Sequence, residues 1–140
     1  MFAQKVDNSV VYDYSDDVEF TIRTMNGKRI SDRGAQNVTI IAKKGMRFLS
    51  LSLKFENKSS EEQILDFEQF FIQDQSGDLH KVDFVIMSGK LTMSTTRFQQ
   101  KLKAKSNRIL FLEFVPAIEK DEVMTAFIID GTSYKIVYKD

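Results

Sequence analysis

The sequence contains no cysteine and no tryptophan, and it has one proline and one histidine. Without cysteine the chain has no disulfide, no thiolate metal ligand and no cysteine nucleophile. With His80 alone it has little material for a Ser-His-Asp triad or for a metal site built from several histidines. We therefore expect no enzymatic activity, no bound metal and no cofactor.

Long apolar runs and an excess of positive charge are also absent. No unbroken apolar run exceeds four residues, as at 109–112, whereas a transmembrane helix needs about 20. Twenty basic residues are balanced by twenty acidic ones, and nucleic-acid-binding domains usually carry a basic excess. The sequence thus predicts neither a transmembrane segment nor a nucleic-acid partner.

The sequence does contain enough apolar material for one core. The chain has 140 residues, 42% of them hydrophobic, with twelve Phe and four Tyr. A domain of this length buries about 68–70% of the surface of its unfolded chain. We expect a single domain over residues 1–140, with residues 1–8 flexible.

The first residues, MFAQKVDNS, bear on the compartment. An Ala3-Gln4 junction followed by a polar segment is what cleavage of a signal peptide would leave. We therefore expect an exported protein of the periplasm or cell envelope. An ordinary cytoplasmic start is the alternative.

The dominant hydrophobic period is two, which is typical of strands. In residues 46–57, Leu49, Leu51, Leu53 and Phe55 fall on one face, and most residues between them are polar. Further strands are predicted at residues 9–14, 18–24, 37–43, 62–74, 108–115 and 125–138, the last divided by a turn.

Three dipeptides mark turns between these strands. Asn26-Gly27 and Asp130-Gly131 carry the type I′ hairpin signature, because both central positions of that turn need positive φ. Ser76-Gly77 is predicted as another hairpin tip, with Gly77 at positive φ. Pro116 is predicted to end the strand at 108–115, which we expect to be central and buried on both faces.

Residues 59–71 are ambiguous. The spacing of Ser59 and Glu62 fits a helix-capping box, and a helical period continues after it. A tight turn at residues 76–77 instead requires a preceding strand. We favour a strand, bulged or not, over about 62–74.

Eight or nine strands joined by tight turns predict an all-β fold, an antiparallel β-sandwich. Three stretches stand out in it: FLSLSLKFENKS at 48–59, FFIQDQSGDLH at 70–80 and ILFLEFVP at 109–116. In order and spacing they resemble a large bacterial family of immunoglobulin-like domains of unknown function.

The resemblance spans residues 46–138 and departs from the family at KAKSNR, residues 103–108, where a Pro-Gly-like turn is usual. It implies an immunoglobulin-like sandwich in an exported protein or lipoprotein, and it brings no catalytic residues.

A histidine and two carboxylates adjoin the predicted Ser76-Gly77 turn. His80 is expected to be a surface side chain on a strand. Asp74 and Asp78 suggest a calcium loop but miss the EF-hand spacing, so Asp74 is expected to accept backbone N–H groups of the turn. Asn57-Lys58-Ser59 fits the glycosylation pattern, which is common by chance.

The clearest charge pattern is a run of five basic residues with no acidic residue among them: Arg97, Lys101, Lys103, Lys105 and Arg108. On a strand the three lysines would share one face. They would then protect an edge strand from aggregation, or form a patch for an anionic partner such as an acidic glycan, a lipid headgroup or a protein. Acidic residues gather at 56–68, so head-to-tail self-association is a further interpretation.

Together these observations favour a non-catalytic, exported interaction domain that recognises a protein partner or a second copy through loops or a sheet edge. The alternative is a small-ligand carrier with an apolar cavity inside a β-barrel. A cavity with converging polar groups would favour the carrier, and a filled interior would favour the interaction domain.

Overall fold

The computed structural model describes residues 5–33, 38–87, 93–94 and 98–139. Within them the chain is all-β, apart from one turn of 3-10 helix at Phe67–Gln69. The strands, in chain order, are β1 Tyr12–Asp13, β2 Val18–Lys28, β3 Ile30–Arg33, β4 Val38–Ile41, β5 Met46–Asn57, β6 Gln63–Asp66, β7 Phe70–Asp74, β8 Leu79–Met87, β9 Met93–Ser94, β10 Gln99–Leu102, β11 Asn107–Val115, β12 Ile118–Glu119, β13 Met124–Ile129 and β14 Thr132–Lys135.

Ten of these strands form one antiparallel sheet. Its main path runs β1-β2-β5-β11-β8-β7-β13-β14, with β12 added to β5 and β9 added to β8. The pairs β3-β4 and β6-β10 form two small separate sheets. The prediction of eight or nine strands was too low, because strands of two residues leave no hydrophobic period to detect. None of the described residues belongs to a helix that is long and apolar enough to cross a membrane.

The main sheet nearly closes on itself, like a barrel. Val6 bridges Tyr138, and the N–H of Asp7 donates to the carbonyl of Val137 at 3.0 Å. The hydroxyl of Tyr12 accepts from the N–H of Val137 at 3.1 Å. Val6 and Asp7, expected to be flexible, are thus part of the closure, while the Ala3-Gln4 junction lies outside the described residues.

Tyr138 also stabilises the seam, the place where the two ends of the main sheet meet. Its hydroxyl donates to the carbonyl of Met124 at 2.6 Å. Burial, with a smaller effect from the charge of Tyr12, raises the pKa of Tyr138 to about 12. The hydroxyl therefore stays protonated and keeps donating over the whole neutral range.

The long strand β5 lies inside the sheet, as its alternation predicts. It pairs with β2 on one edge and β11 on the other, and Leu49, Leu51, Leu53 and Phe55 are at most 1% exposed.

The strand β11 is central, between β5 and β8, and it ends before Pro116 as predicted. It is not buried on both faces along its whole length, because Phe111 is 40% exposed.

Two of the three predicted turns are confirmed. Gly77 has a φ of +92°, and Asp130 and Gly131 have φ values of +48° and +83°. The prediction of a turn at Asn26-Gly27 was wrong, because both residues lie within β2, opposite Ser50 and Leu49. Twelve residues of β5 offer β2 a continuous hydrogen-bonding partner, and this long-range pairing outweighs the local turn preference.

Residues 59–71 form neither the continuous strand that we favoured nor an α-helix. A single 3-10 turn separates β6 from β7, with Asp66 Oδ1 accepting from the N–H of Glu68 at 3.0 Å. This step in the chain turns Phe67 and Phe70 both inward, with ring centroids 5.6 Å apart. Ser59 caps no helix, since its hydroxyl bonds to Asn57 Oδ1 at 2.8 Å.

A cluster of aromatic rings lies in the interior. The ring centroid of Phe20 lies between 5.1 and 5.7 Å from those of Tyr12, Phe55, Phe70 and Phe127. Aromatic pairs at such distances add about 0.5–1.5 kcal/mol each beyond the area they bury. The five rings come from β1, β2, β5, β7 and β13, so the cluster links strands near both ends of the sheet path.

We expect Gly77→Ala to lower the free energy of unfolding by about 1 kcal/mol, because an L-residue resists a positive φ. An added Cβ would meet no atom within 4 Å, so backbone strain is the sole cause. Urea unfolding measures the change, with Gln75→Ala in the same exposed turn as the control. Equal midpoints for the two variants would refute the turn geometry.

Candidate functional site

The predicted basic residues surround the turn between β10 and β11 and do not line one strand. Lys101 lies in β10, Lys103 and Lys105 lie in the turn, and Arg108 lies in β11. The prediction that the three lysines share one face of a strand was therefore wrong, because β10 ends at the residue after Lys101. The lysines are exposed and Arg108 is half-buried, while Arg97 lies outside the described residues.

The turn is held in shape by hydrogen bonds within it and by hydrogen bonds to residues 58 and 59. Lys105 has a φ of +54°, a conformation that non-glycine residues rarely adopt. Its N–H donates to the carbonyl of Ser59 at 3.1 Å, and its Nζ donates to the carbonyl of Lys58 at 2.5 Å. The hydroxyl of Ser106 donates to the carbonyl of Lys103 at 2.6 Å. These bonds fix the shape of a turn that contains neither proline nor glycine.

Asn57 joins the turn between β10 and β11 to the main sheet by hydrogen bonds. It is 1% exposed, and its Nδ2 donates to the carbonyls of Glu61, Leu102 and Lys103 at 2.8, 3.1 and 3.2 Å. Its Oδ1 accepts from the N–H and the hydroxyl of Ser59. A side chain so buried is no glycosylation acceptor. Sequence reasoning missed this role, although the position of Asn57 at the end of the long strand was its signal.

An open surface concavity of about 340 Å³ lies beside the turn. Its lining combines two cations, a hydroxyl, an amide and one aliphatic side chain: Lys103, Arg108, Ser106, Asn107 and Ile109. The volume is at the lower end of the range for small-molecule sites. Of the sequence-predicted site residues, the concavity thus unites Lys103 and Arg108.

Acidic residues adjoin the same end of the sheet. Glu19 lies opposite both Asp13 and Glu56, and Glu56 lies opposite Asn107. The hydrogen bond from Lys58 to Glu19, 3.0 Å long, raises the pKa of Lys58. Acidic and basic groups are therefore neighbours on one molecule, an arrangement that gives no support to head-to-tail self-association.

His80 is buried, so its predicted surface position was wrong. It lies in β8 opposite Ile72, which is 0% exposed, and is itself 7% exposed. Its Nε2 lies 2.8 Å from Asp74 Oδ2, while its Nδ1 has no hydrogen-bond partner.

Asp74 has the predicted role in the turn. Its Oδ1 accepts from the N–H groups of Ser76 and Asp78 at 2.9 and 3.0 Å. Burial alone would raise the pKa of Asp74, but the hydrogen bond from His80 and the two backbone N–H groups outweigh it, and the pKa lies below its ordinary value. Both oxygens are thus engaged, and the described residues include no group of three His, Asp or Glu side chains able to hold a metal ion.

Comparison with known proteins gives fold relatives only. No family model matches the sequence, and no curated protein matches it. The chain is similar in structure to an uncharacterised β-sandwich protein from Clostridium difficile 630, with a TM-score of 0.61 and 13% identity, over 98% of this chain and 94% of that one. The protein has a β-sandwich fold.

Two further solved structures share this β-sandwich fold. A conserved hypothetical protein from Bacillus anthracis has a TM-score of 0.60 and 9% identity, over 96% of this chain and 95% of that one. A lipoprotein candidate from Bacillus subtilis strain 168 has a TM-score of 0.53 and 10% identity, over 90% of this chain and 37% of the other. At such identities the likeness concerns the fold alone.

We expect Asn57→Ala to destabilise the β-sandwich by about 2–4 kcal/mol, because it leaves buried carbonyl groups without donors. The matched control is Asn107→Ala, which removes an exposed amide and should change stability by less than about 0.5 kcal/mol. Thermal and urea unfolding measure both. Similar losses of stability in the two variants would contradict the role of Asn57 in joining the turn to the sheet.

Because the pKa of Asp74 is lowered in the folded protein, the stability of the fold depends on pH in the acidic range. The contribution of Asp74 is complete above about pH 3.9, its unfolded value, and is lost as the pH falls through the lower folded value. Asp74→Asn should therefore be less stable than wild type at pH 7, with a smaller loss of stability between about pH 4 and pH 2. Asp78→Asn, in the exposed part of the turn, is the control. If the free energy of unfolding falls with pH equally in wild type and in Asp74→Asn, the hydrogen bonds to Asp74 do not lower its pKa.

Proposed function

We propose that this protein is a non-catalytic interaction domain of immunoglobulin-like type, which works outside the cytoplasm and recognises its partner through its surface. The observation that carries the proposal is the cluster of aromatic rings in the interior. Six buried aromatic rings occupy the space inside the sheet: those of Tyr12, Phe20, Phe55, Phe67, Phe70 and Phe127.

The packing of the interior supports the interaction domain over the carrier. A barrel of about eight strands has an interior just wide enough to be filled by side chains or to hold one small ligand. In this chain the neighbouring rings lie 5.1 to 5.8 Å apart, and Phe20 contacts rings on both sides of the seam. An enclosed ligand would have to displace these rings, so the carrier interpretation loses its support.

The surface offers a rigid place for recognition. The turn between β10 and β11 is fixed by the amide of Asn57 and by backbone bonds, and it exposes Lys103 and Lys105. A fixed turn loses little conformational entropy when a partner binds. This turn and the concavity beside it are the proposed contact surface.

One observation supports work outside the cytoplasm: one of the fold relatives is a lipoprotein candidate. A domain without cysteine does not depend on the redox state of its compartment.

Photo-cross-linking in living cells tests this proposal. A photoreactive residue at position 107, in the wall of the concavity, should capture a reproducible partner from the cell envelope. The same residue at position 44, in the exposed turn before β5, should not. Mass spectrometry of the captured product also gives the mature N-terminus, expected near Gln4.

Two results would contradict the proposal. Identical captured products from positions 107 and 44 would remove the concavity as the contact surface. A mature chain that retains Met1 and stays in the cytoplasmic fraction would contradict export.

A further inference from the structure

The concavity beside the β10-β11 turn has a chemistry more specific than a basic surface. Its two cations, Lys103 and Arg108, are accompanied by the amide of Asn107 and the hydroxyl of Ser106. Positive groups bind oxyanions, while amides and hydroxyls exchange hydrogen bonds with sugar hydroxyls. Ile109 adds the one aliphatic surface, against which a sugar ring can pack.

The size of the concavity also selects among ligands. A volume of about 340 Å³ suits a small molecule or one residue of a larger chain. A stable protein–protein contact instead needs about 800 Å² of surface on each partner, much of it flat. The concavity therefore has room for a single sugar unit, free or as part of a larger partner.

Two lining groups are available for a ligand. Neither the amine of Lys103 nor the side-chain amide of Asn107 has a hydrogen-bond or ion-pair partner in the described part of the chain. Both belong to segments held in place, Lys103 by the amide of Asn57 and Asn107 by its pairing with Glu56 in β5. The backbone that carries both groups is therefore fixed before a ligand binds.

We propose that this concavity binds an acidic sugar unit, with the amine of Lys103 on its carboxylate or phosphate and the amide of Asn107 on its hydroxyls, while Arg108 and Ser106 complete the wall. The inference rests on the proposed function, since it names the chemical class that this contact surface recognises. Glu56, opposite Asn107, is the acidic residue that the strand register places next to the site. Its negative charge repels an anionic ligand and so lowers the affinity of the site.

Amide chemical shifts in a ¹⁵N-labelled sample test the inference with three probes. Glucuronate carries a carboxylate, glucose 6-phosphate carries a phosphate, and glucose is the neutral control. One or both acidic probes should shift the amides of residues 103 and 106–109 at millimolar concentration, and glucose should not. The two acidic probes together show which oxyanion the site prefers.

Three variants define the site. Lys103→Gln should weaken binding about fivefold, whereas Lys44→Gln in a distant exposed turn should leave it unchanged. Glu56→Gln should strengthen binding, because it removes a negative charge from the position opposite Asn107. A gain of affinity cannot come from a damaged fold.

Three results would overturn the inference: no shift from either acid up to about 50 mM, equal shifts from glucose, or unchanged affinity in Lys103→Gln. Absence of probe binding together with capture of a partner from position 107 would leave the interaction domain standing and refute only the sugar site. Absence of both would refute the two proposals together.

Discussion

The ring of Phe20 is the contact on which the rest of the structure depends. It lies within 5.7 Å of four other rings, from β1, β5, β7 and β13. Among the described residues, hydrogen bonds at the seam are few, because β1 has only two residues and residue 6 contributes a single bridge. Packing of the rings therefore closes the sheet, and the tyrosine hydroxyls at the seam fix its final register.

This way of closing the sheet also bears on the proposed function. Rings that hold the two ends of a sheet together occupy the space in which a carrier would keep its ligand. Polar groups that are not needed for the core then gather where strands end. Asn57 joins one such end to the turn after β10, so the same residue that stabilises the fold also fixes the candidate contact surface.

The sequence predicted those features that depend on neighbouring residues. Alternation along β5 and the dipeptides at 76–77 and 130–131 are local signals, and each predicted its element. Asn26-Gly27 was misleading because the competing interaction, pairing with β5, comes from residues more than twenty positions away. His80 was misplaced for a similar reason, since its burial depends on pairing with Ile72 and on the carboxylate of Asp74.

The candidate site was predicted only in part. The basic residues were found from their charge, but their arrangement follows from the end of β10 and the positive φ of Lys105, which no period indicates. The concavity itself depends on β11 lying beside the turn, and Ser106, Asn107 and Ile109 carry no charge pattern that would mark them.

A crystal structure under xenon pressure tests the central claim, that the interior is full and recognition takes place at the surface. Xenon enters apolar cavities large enough to hold it. We expect no xenon among the rings of Phe20, Phe55, Phe70 and Phe127. A well-occupied xenon site among them would show an apolar cavity inside the sheet, contradict the account and restore the carrier interpretation.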